Sequence, residues 1–192
     1  MSDMTTKNII IVGVGGQGTL FASRILGQMA RHAGYDVKVS EVHGMAQRGG
    51  SVVTYVRYGG EVFEPLVEAG GADILIAFEQ LEALRYVHYL KKDGLLILNE
   101  QRITPVTVAA GAAEYPSGIR EELSQRREVV SVDAIKAAAA LGNVRVFNIV
   151  IIGLAAKHME FAKEDWLAVI GRTVPAPLAE INRAAFEFGY QL

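Results

Sequence analysis

Hydrophobic positions at the start of this chain change from an unbroken run to a helical spacing. Residues 9–12 are apolar without alternation, which is typical of a parallel strand buried on both faces. The glycine-rich segment 13–18 follows, and apolar residues then recur at helical spacing over 21–33. Gly34 stands where a glycine commonly ends a helix, and residues 36–41 predict a second strand. This segment therefore predicts a βαβ unit.

The rest of the chain continues to alternate between the two patterns. Residues 51–58, followed by Gly59 and Gly60, predict a hairpin with residues 61–63, which would make part of the sheet antiparallel. Further strands are predicted at 74–78, 95–98 and 129–132, with β character at 103–108. A helix is predicted at 81–90, with an end near Gly94, and a short helix is predicted near Glu121. Another should begin after Asp133 as N-cap and run to Leu141, with Gly142 closing it. The C-terminal end is predicted to form three helical pieces, broken by Gly171, Pro175 and Pro177.

This order of elements predicts an α/β fold. We expect a single doubly wound, Rossmann-like domain over residues 1–192, with a mostly parallel sheet, an antiparallel hairpin and a helical C-terminal end. No internal repeat or linker divides the chain.

Composition narrows the class of protein. With 51% hydrophobic and 21% charged residues among 192, the chain has the composition of a globular protein. Its net charge of −2 gives no indication of nucleic-acid binding. It has no cysteine, which excludes disulfides, a cysteine-ligated iron–sulfur cluster and a thiolate zinc site. No apolar run approaches the ~20 residues of a membrane span, and the N-terminus lacks an export signal. We expect a cytoplasmic protein without membrane or nucleic-acid partners.

The turn after the first predicted strand is a candidate anion site. Gly13, Gly15 and Gly18 match G-x-G-x-x-G between a strand and a helix, where glycines permit a tight turn, close approach of a phosphate and helix–strand packing. Gly16 adds another bare backbone position and Gln17 an amide. The helix N-terminus beyond offers free N–H groups. The alternative is that these glycines serve packing alone.

The nature of the anion stays open at this point. A nicotinamide site needs an acidic residue at the end of the second strand, about 20 residues on, to bind ribose hydroxyls. Glu41 stands near that position. A single glutamate at a strand end is more often only solvated, so a nicotinamide ligand is the weaker expectation.

The second glycine-rich loop, in the run HGMAQRGGSV, is also suited to anions. Adjacent Gly49 and Gly50 can turn consecutive N–H groups towards an anion, and Arg48 adds a guanidinium group that is always positively charged. Gln47 supplies a donor and an acceptor, and His43 is titratable. In a doubly wound sheet this loop lies at the same carboxyl edge as the first turn. The alternative is a structural arginine beside a glycine bulge.

Four segments in order resemble a known family. GVGGQG, HGMAQRGGSVV, ADILIAFEQLEALR and the run NIVIIGLAA that contains Asn148 are similar to the gamma-type domain of the 2-oxoacid:ferredoxin oxidoreductases. The resemblance extends from Lys7 to the run AFEFG that ends at Gly189. HGMAQRGG is most similar to the beta subunit of the indolepyruvate branch, and the pyruvate- or 2-oxoglutarate-type gamma subunit is the alternative within the family.

The resemblance implies a chemistry that this chain cannot perform alone. In the family, an aryl 2-oxo acid and coenzyme A give aryl-acetyl-CoA, CO₂ and reduced ferredoxin, with thiamine diphosphate and iron–sulfur clusters as cofactors. This chain has neither cysteines nor a GDG-type thiamine motif. The resemblance therefore implies an accessory beta subunit, inactive alone, whose larger alpha subunit holds both cofactors and through which ferredoxin is reached.

The resemblance also assigns expected roles to the two loops. The phosphate cradle would be Gly13, Gly15, Gly16, Gln17 and Gly18, while Gln47, Arg48, Gly49 and Gly50 would face coenzyme A or the partner. We expect no catalytic residue and no metal ligand in this chain. Asn148 is a weaker candidate, because a role as helix N-cap would explain it.

Two other classes of function remain open. One is a free-standing NAD- or flavin-dependent reductase, and the other is a purely structural subunit whose glycine turn binds nothing. When isolated, the chain could also pair with itself as a homodimer.

Overall fold

The computed structural model describes residues 5–44 and 49–192. Six strands in this part of the chain form one sheet in the order β2-β3-β1-β4-β5-β6. The strands are β1 (Lys7–Val14), β2 (Asp36–His43), β3 (Ser51–Gly59), β4 (Ala72–Ala77), β5 (Leu90–Asn99) and β6 (Glu128–Val132).

Helices connect the strands and form the C-terminal end. They are α1 (Thr19–His32), α2 (Gln80–Tyr86), α3 (Val106–Ala109), α4 (Ile119–Ser124), α5 (Ala134–Ala140), α6 (Phe147–Ala156), α7 (Lys163–Thr173) and α8 (Ala179–Gln191). Short 3-10 turns occur at Val87–Tyr89, Val144–Val146 and Ala176–Leu178. In the described part of the chain, every helix is too short or too polar to cross a membrane.

The fold is the predicted doubly wound α/β type, with helices on both faces of the sheet. Ile9 and Ile11 of β1 pack with α1 and the C-terminal helices, whereas Ile10 and Val12 pack on the other face with residues of α2 and α4. All four side chains are buried. Burial on both faces explains why the apolar run shows no alternation.

One strand runs against the others. β1, β4, β5 and β6 pair in parallel, while β3 lies antiparallel between β1 and β2. As in the predicted βαβ unit, β2 runs parallel to β1, but β3 lies between the two strands.

The antiparallel strand was predicted correctly, but its predicted hairpin partner was wrong. β3 pairs with the preceding β2, and residues 61–63 form no strand. Side chains hold this segment as a loop: Asp36 Oδ2 accepts a hydrogen bond from the Val62 N–H, and Arg57 donates to the carbonyl oxygens of Glu64 and Leu66.

Predicted helix ends are confirmed at two glycines. After α1, the Gly34 N–H donates to Arg31 O at 3.0 Å and the Tyr35 N–H donates to Ala30 O at 3.1 Å, the two bonds of a Schellman motif. Gly142 likewise follows α5 with a φ of 91°. At the start of α5, Asp133 Oδ1 accepts a hydrogen bond from the Lys136 N–H at 2.9 Å, as predicted for an N-cap.

Other predicted boundaries were wrong. The helix predicted to end near Gly94 stops at Tyr86, and Gly94 lies inside β5. Residues 103–108 form no strand, and α3 begins at Val106 after Pro105. The first C-terminal break lies at 157–162, while Gly171 is inside α7. The predicted break at the two prolines is confirmed.

The helices α6 and α8 cross with almost no side chain between them. A Cβ atom on Gly153 would overlap the carbonyl oxygen of Phe186, and one on Gly189 would overlap that of Val150. Only glycine fits at both positions. The segments NIVIIGLAA and AFEFG are therefore the two sides of one helix crossing.

Candidate functional site

The candidate site lies at the carboxyl edge of the sheet. β1 and β4 are neighbours, and the chain proceeds from them towards opposite ends of the sheet. Ligands of doubly wound folds bind in the crevice at such a switch point. The glycine turn follows β1 here, and the segment 78–80 follows β4.

The Gln17 side chain fills this crevice. Its Oε1 accepts a hydrogen bond from the Val14 N–H at 2.7 Å, and its Nε2 donates to Phe78 O at 3.0 Å and to Gln101 Oε1 at 2.8 Å. The residue is only 6% exposed. The amide that was predicted to face a phosphate is therefore hydrogen-bonded within the chain, and it holds the turn against the segments that follow β4 and β5.

Two polar side chains support the crevice behind Gln17. Asn99 is fully buried, donates to Phe78 O at 2.9 Å and accepts from the Ala134 N–H at 3.0 Å. Glu79 is 1% exposed and accepts from the N–H groups of Ile103 and Glu82, each at 3.0 Å. Together they attach the loop after β5 to the end of β4.

Glu79 also accepts a hydrogen bond from the Tyr115 hydroxyl at 2.5 Å. Burial raises the pKa of Tyr115 well above its usual range, and the hydrogen bond to Glu79 raises that pKa further. This hydroxyl therefore stays protonated at physiological pH and serves as a donor to the buried carboxylate.

The glycines of the turn differ in their surroundings. A Cβ on Gly13 would lie 2.8 Å from Gln17 Oε1 and 3.0 Å from Phe78 Cβ, so this position is closed by packing. Gly18 has a φ of 83°, and a Cβ there would lie 2.6 Å from Asn148 Nδ2. Gly16 has a φ of 105° with open space around it. Gly16 is therefore an open backbone position of the turn.

The structure brings the two glycine-rich loops together, as predicted. The Gly15 N–H donates to Gly50 O at 2.8 Å, and the Gly49 N–H donates to Gly15 O at 3.3 Å. The next residue, Ser51, donates through its hydroxyl to the buried Glu82 at 2.5 Å, which fixes the start of β3. The other two loop candidates, Gln47 and Arg48, lie outside the described residues.

A groove of about 520 Å³ opens on the β2–β3 side of the turn. Its lining residues come from the turn, the start of α1, β2 and β3: Gly15, Gly16, Gly18, Thr19, Leu20, Glu41, His43 and Val52. The N-cap of α1 is Gly18, which has no side chain, whereas Glu79 caps α2. Among the described residues no side chain caps the first N–H groups of α1, so the groove suits an anionic or polar ligand that would accept from them.

Glu41 and His43 line the far wall of this groove. His43 aligns with Val52, and Val52 with Gly13, so two strand spacings separate β2 from the end of β1. At about 4.8 Å per spacing, the distance is about 10 Å. In a nicotinamide site the acidic residue follows the strand directly beside the glycine turn. The inserted β3 removes Glu41 from that place.

The prediction that Asn148 is a helix N-cap was wrong. α6 begins at Phe147 after Val146, so Asn148 lies within the first turn of the helix. Its amide faces Gly18, because the C-terminal helices pack against the same face of the sheet as α1.

Sequence reasoning did not single out Glu79, Asn99 and Gln101 as residues of the site. A signal was present, since Glu–Gln directly follows the apolar run of β4 in AFEQ and follows that of β5 after Asn99 in LNEQ. Polar pairs at the carboxyl ends of neighbouring parallel strands indicate a shared edge. Within the ranges 5–44 and 49–192, no three His, Asp or Glu side chains come close enough to form a metal site.

Comparison with known proteins gives a consistent result. The family model of pyruvate ferredoxin/flavodoxin oxidoreductase matches residues 8–192. Among curated proteins, the chain is 44% identical to indolepyruvate oxidoreductase subunit IorB of Pyrococcus horikoshii, over 97% of this chain and 95% of that one. The subunit of the same name from Thermococcus kodakarensis is 43% identical, with the same coverage.

More distant proteins also match this chain over nearly its whole length. A 2-oxoglutarate synthase subunit, KorC, of Methanothermobacter thermautotrophicus is 29% identical over 97% of this chain and 94% of its own. The crystal structure of pyruvate oxidoreductase subunit PORC from Thermotoga maritima superposes with a TM-score of 0.75 at 21% identity, covering 97% of this chain and 96% of that one. At this identity the superposition establishes the fold.

Proposed function

The chain belongs to the pyruvate ferredoxin/flavodoxin oxidoreductase family, and from this premise we propose that it is the accessory beta subunit of an indolepyruvate-type complex. The complex would convert an aryl 2-oxo acid and coenzyme A into aryl-acetyl-CoA and CO₂, with reduction of ferredoxin. The identities of 43–44% to subunits named for indolepyruvate, against 29% to one named for 2-oxoglutarate, support the aryl substrate class.

The open groove beside Gly16 is the observation that supports a ligand-binding role for this chain in the complex. Bare backbone at Gly15 and Gly16 and the uncapped first turn of α1 border one cleft, and the second loop is hydrogen-bonded to Gly15. Such a cleft suits the phosphates of coenzyme A. Gly16, Gly18 and the N–H groups of Thr19 and Leu20 would bind them, with Gln17 and Asn148 as the residues that hold the turn in shape.

The other cofactors of the proposed reaction do not fit this chain. It contains no cysteine to hold an iron–sulfur cluster. Its sequence also lacks a GDG-type motif for the magnesium and diphosphate of a thiamine site. We therefore assign both groups to a larger alpha subunit and propose that the isolated beta subunit is inactive.

Reconstitution with the larger subunit tests this function. The chain alone, the large subunit alone and their mixture are assayed for indolepyruvate-dependent reduction of ferredoxin or a viologen dye, with and without coenzyme A. We expect turnover only in the mixture. Decarboxylation by this chain alone, with thiamine diphosphate supplied, would contradict the assignment.

A ligand titration separates the alternatives. Calorimetry of the isolated chain and of the complex with coenzyme A, NAD and FMN should detect coenzyme A only. Binding of NAD or FMN to the isolated chain would favour a free-standing reductase. An active complex whose coenzyme A affinity is independent of this chain would leave it a purely structural role.

A further inference from the structure

β2 is an edge strand that has neither a bulge nor a proline. Its eight residues pair with β3 in unbroken register from Asp36 to His43, and it contains no proline. Its other side faces no strand of the described sheet. Soluble proteins commonly protect such edges with bulges, prolines or charged side chains, and of these β2 has only the charged residues Asp36, Lys38 and Glu41. The one lysine of β2, Lys38, is paired to Asp36 of the same strand at 2.8 Å.

Exposed valines accompany this open edge. Val39 is 46% exposed and Val42 is 52% exposed. On the α1 side, Val37 and Val39 lie beside Gly27 of α1, where a Cβ would be 3.4 Å from Val39 Cγ2. Because Gly27 has no side chain, α1 and β2 leave a groove of about 490 Å³ between them. We call this surface the α1–β2 face, defined by Arg24, Gly27, Arg31, Val37 and Val39.

The charge of the α1–β2 face is one-sided. Arg24 and Arg31 are seven residues apart on one side of α1, line the groove and are exposed. Within residues 5–44 and 49–192, no carboxylate lies within 4.0 Å of either guanidinium, and no acidic residue lines the groove. Two guanidinium groups beside exposed valines and open strand backbone fit an extended segment that carries carboxylates and apolar side chains.

The position of the face relates it to the candidate site. Leu20 lines both the groove on the α1–β2 face and the groove beside Gly16. A segment bound along β2 would therefore run up to the glycine turn. A second copy of this chain is a poor occupant, because it would bring its own Arg24 and Arg31 against the same positive groove.

We propose that the α1–β2 face docks an acidic, extended segment of the larger subunit, which adds a strand to the β2 edge. This inference rests on the proposed function, because it takes the larger subunit as the partner. It explains why a strand with exposed valines is left open beside two guanidinium groups that no carboxylate of residues 5–44 and 49–192 neutralises.

Charge reversal tests the docking. Complex formation with the larger subunit is measured by calorimetry or surface plasmon resonance for Arg24→Glu, Arg31→Glu and Val39→Asp. Arg183→Glu, an exposed arginine on α8, is the matched control. We expect each variant of the face to weaken assembly at least about tenfold, with the control unchanged, since loss of an interfacial charge pair commonly has at least this effect. Arg24→Lys and Arg31→Lys should assemble more tightly than the glutamate variants.

Hydrogen exchange gives a second readout that does not depend on a variant. Backbone amides of β2 should gain protection when the wild-type complex forms, while those of β6, at the opposite edge of the sheet, should not. Thermal unfolding of the three variants verifies that they fold, and their exposed positions favour this.

The outcomes separate the inference from the function. A wild-type chain that fails to assemble with the larger subunit overturns the proposed function and the docking with it. Normal assembly of the three variants, with unchanged exchange in β2, overturns the docking alone. A dimer of the isolated chain that Val39→Asp dissociates would identify a second copy as the occupant and would also overturn it.

Discussion

At the scale of single residues, the glycines and Gln17 of the turn after β1 have different structural roles. Gly13 is glycine because Gln17 and Phe78 leave no room, and Gly18 because its backbone is left-handed and Asn148 lies against it. Gln17 occupies the crevice between β1 and β4 where a doubly wound fold commonly binds its ligand. The accessible space is therefore displaced towards β3 and β2, with Gly16 at its border.

Gly16→Val tests whether this space binds a ligand. The left-handed backbone at a φ of 105° should cost the variant about 1–2 kcal/mol of stability, and the side chain would enter the open groove. We expect a folded subunit whose complex has lost coenzyme A-dependent turnover. The measurements are the Michaelis constant for coenzyme A, the turnover number and the free energy of unfolding.

Gly34→Val is the matched control. Gly34 has a φ of 88° with open space around it, but it lies at the other end of α1. It should show a similar loss of stability with normal turnover. If both variants turn over normally, the glycine turn serves packing alone.

Arg48 gives a second prediction at this scale, which rests on the resemblance of its loop. If Arg48 binds a phosphate of coenzyme A or a buried carboxylate of the partner, Arg48→Ala should weaken that binding by about 2–5 kcal/mol. Arg48→Lys keeps the charge without the bidentate fork and should recover only part of the loss.

The Michaelis constant for coenzyme A and the affinity for the larger subunit distinguish the two partners of Arg48. A raised Michaelis constant with intact assembly indicates coenzyme A, and weaker assembly at an unchanged constant indicates the interface. An Arg48→Ala protein that is normal in both would refute either role, since an exposed ion pair is worth under about 1 kcal/mol.

At the scale of elements, the crossing of α6 and α8 holds the C-terminal helices against the sheet. Gly153 and Gly189 let the two backbones touch, and Trp166 of α7 packs on Phe186 of α8. Because Asn148 of α6 reaches Gly18, the crossing also determines what lies behind the glycine turn.

Gly189→Ala should therefore be strongly destabilising. Its Cβ would overlap the Val150 carbonyl oxygen, and backbone cannot move aside as a side chain can. We expect a loss of at least about 2 kcal/mol in the free energy of unfolding, measured by urea denaturation.

Gly171→Ala is the control for this substitution. Gly171 is an exposed glycine inside α7 with open space at its Cβ position, so alanine should stabilise the helix by up to about 1 kcal/mol. Equal effects of the two substitutions would mean that the helices α6 and α8 can separate at little cost.

At the scale of the whole molecule, buried tyrosines link the stability of the fold to alkaline pH. Tyr58 is 2% exposed and donates its hydroxyl hydrogen to Glu160 at 3.1 Å. Burial raises the pKa of Tyr58 well above its usual range, and Glu160 adds to the effect. The pKa of Tyr115 is raised in the same direction by burial and by Glu79.

These shifts predict a loss of stability above about pH 10. An unfolded tyrosine ionises near pH 10, whereas the folded hydroxyls keep their protons, so the unfolded state binds fewer protons there. The stabilisation is complete below that pH and falls as the pH rises, by up to about 1.4 kcal/mol per pH unit for each tyrosine. Urea denaturation between pH 8 and 11.5 measures the slope.

Phenylalanine variants isolate the contribution of each tyrosine. Tyr58→Phe and Tyr115→Phe should be less stable than the wild type at pH 8, because a buried hydrogen bond is lost, and should decline less steeply above pH 10. Curves parallel to the wild type at all pH values would show that neither hydroxyl is responsible.

The sequence by itself determined the features that arise from local order. The unbroken run 9–12 predicted a strand buried on both faces, Gly34 and Gly142 predicted helix ends, and Asp133 predicted an N-cap, because each depends on neighbours within a few residues. The two glycine-rich loops in order also indicated the family, and their position at a shared edge follows from the fold class.

Only the tertiary structure decided which groups meet from distant parts of the chain. Pairing of β3 with β2 and β1 depends on competition between strands, and the segment 62–66 is hydrogen-bonded as a loop to Asp36 and Arg57. The Gln17 side chain donates a hydrogen bond to Gln101, 84 positions away, and it occupies the crevice in which the glycine motif predicted a ligand. Local pattern cannot show such contacts, since they depend on the order of strands in the sheet, and that order moved the open groove to the β2–β3 side of the turn.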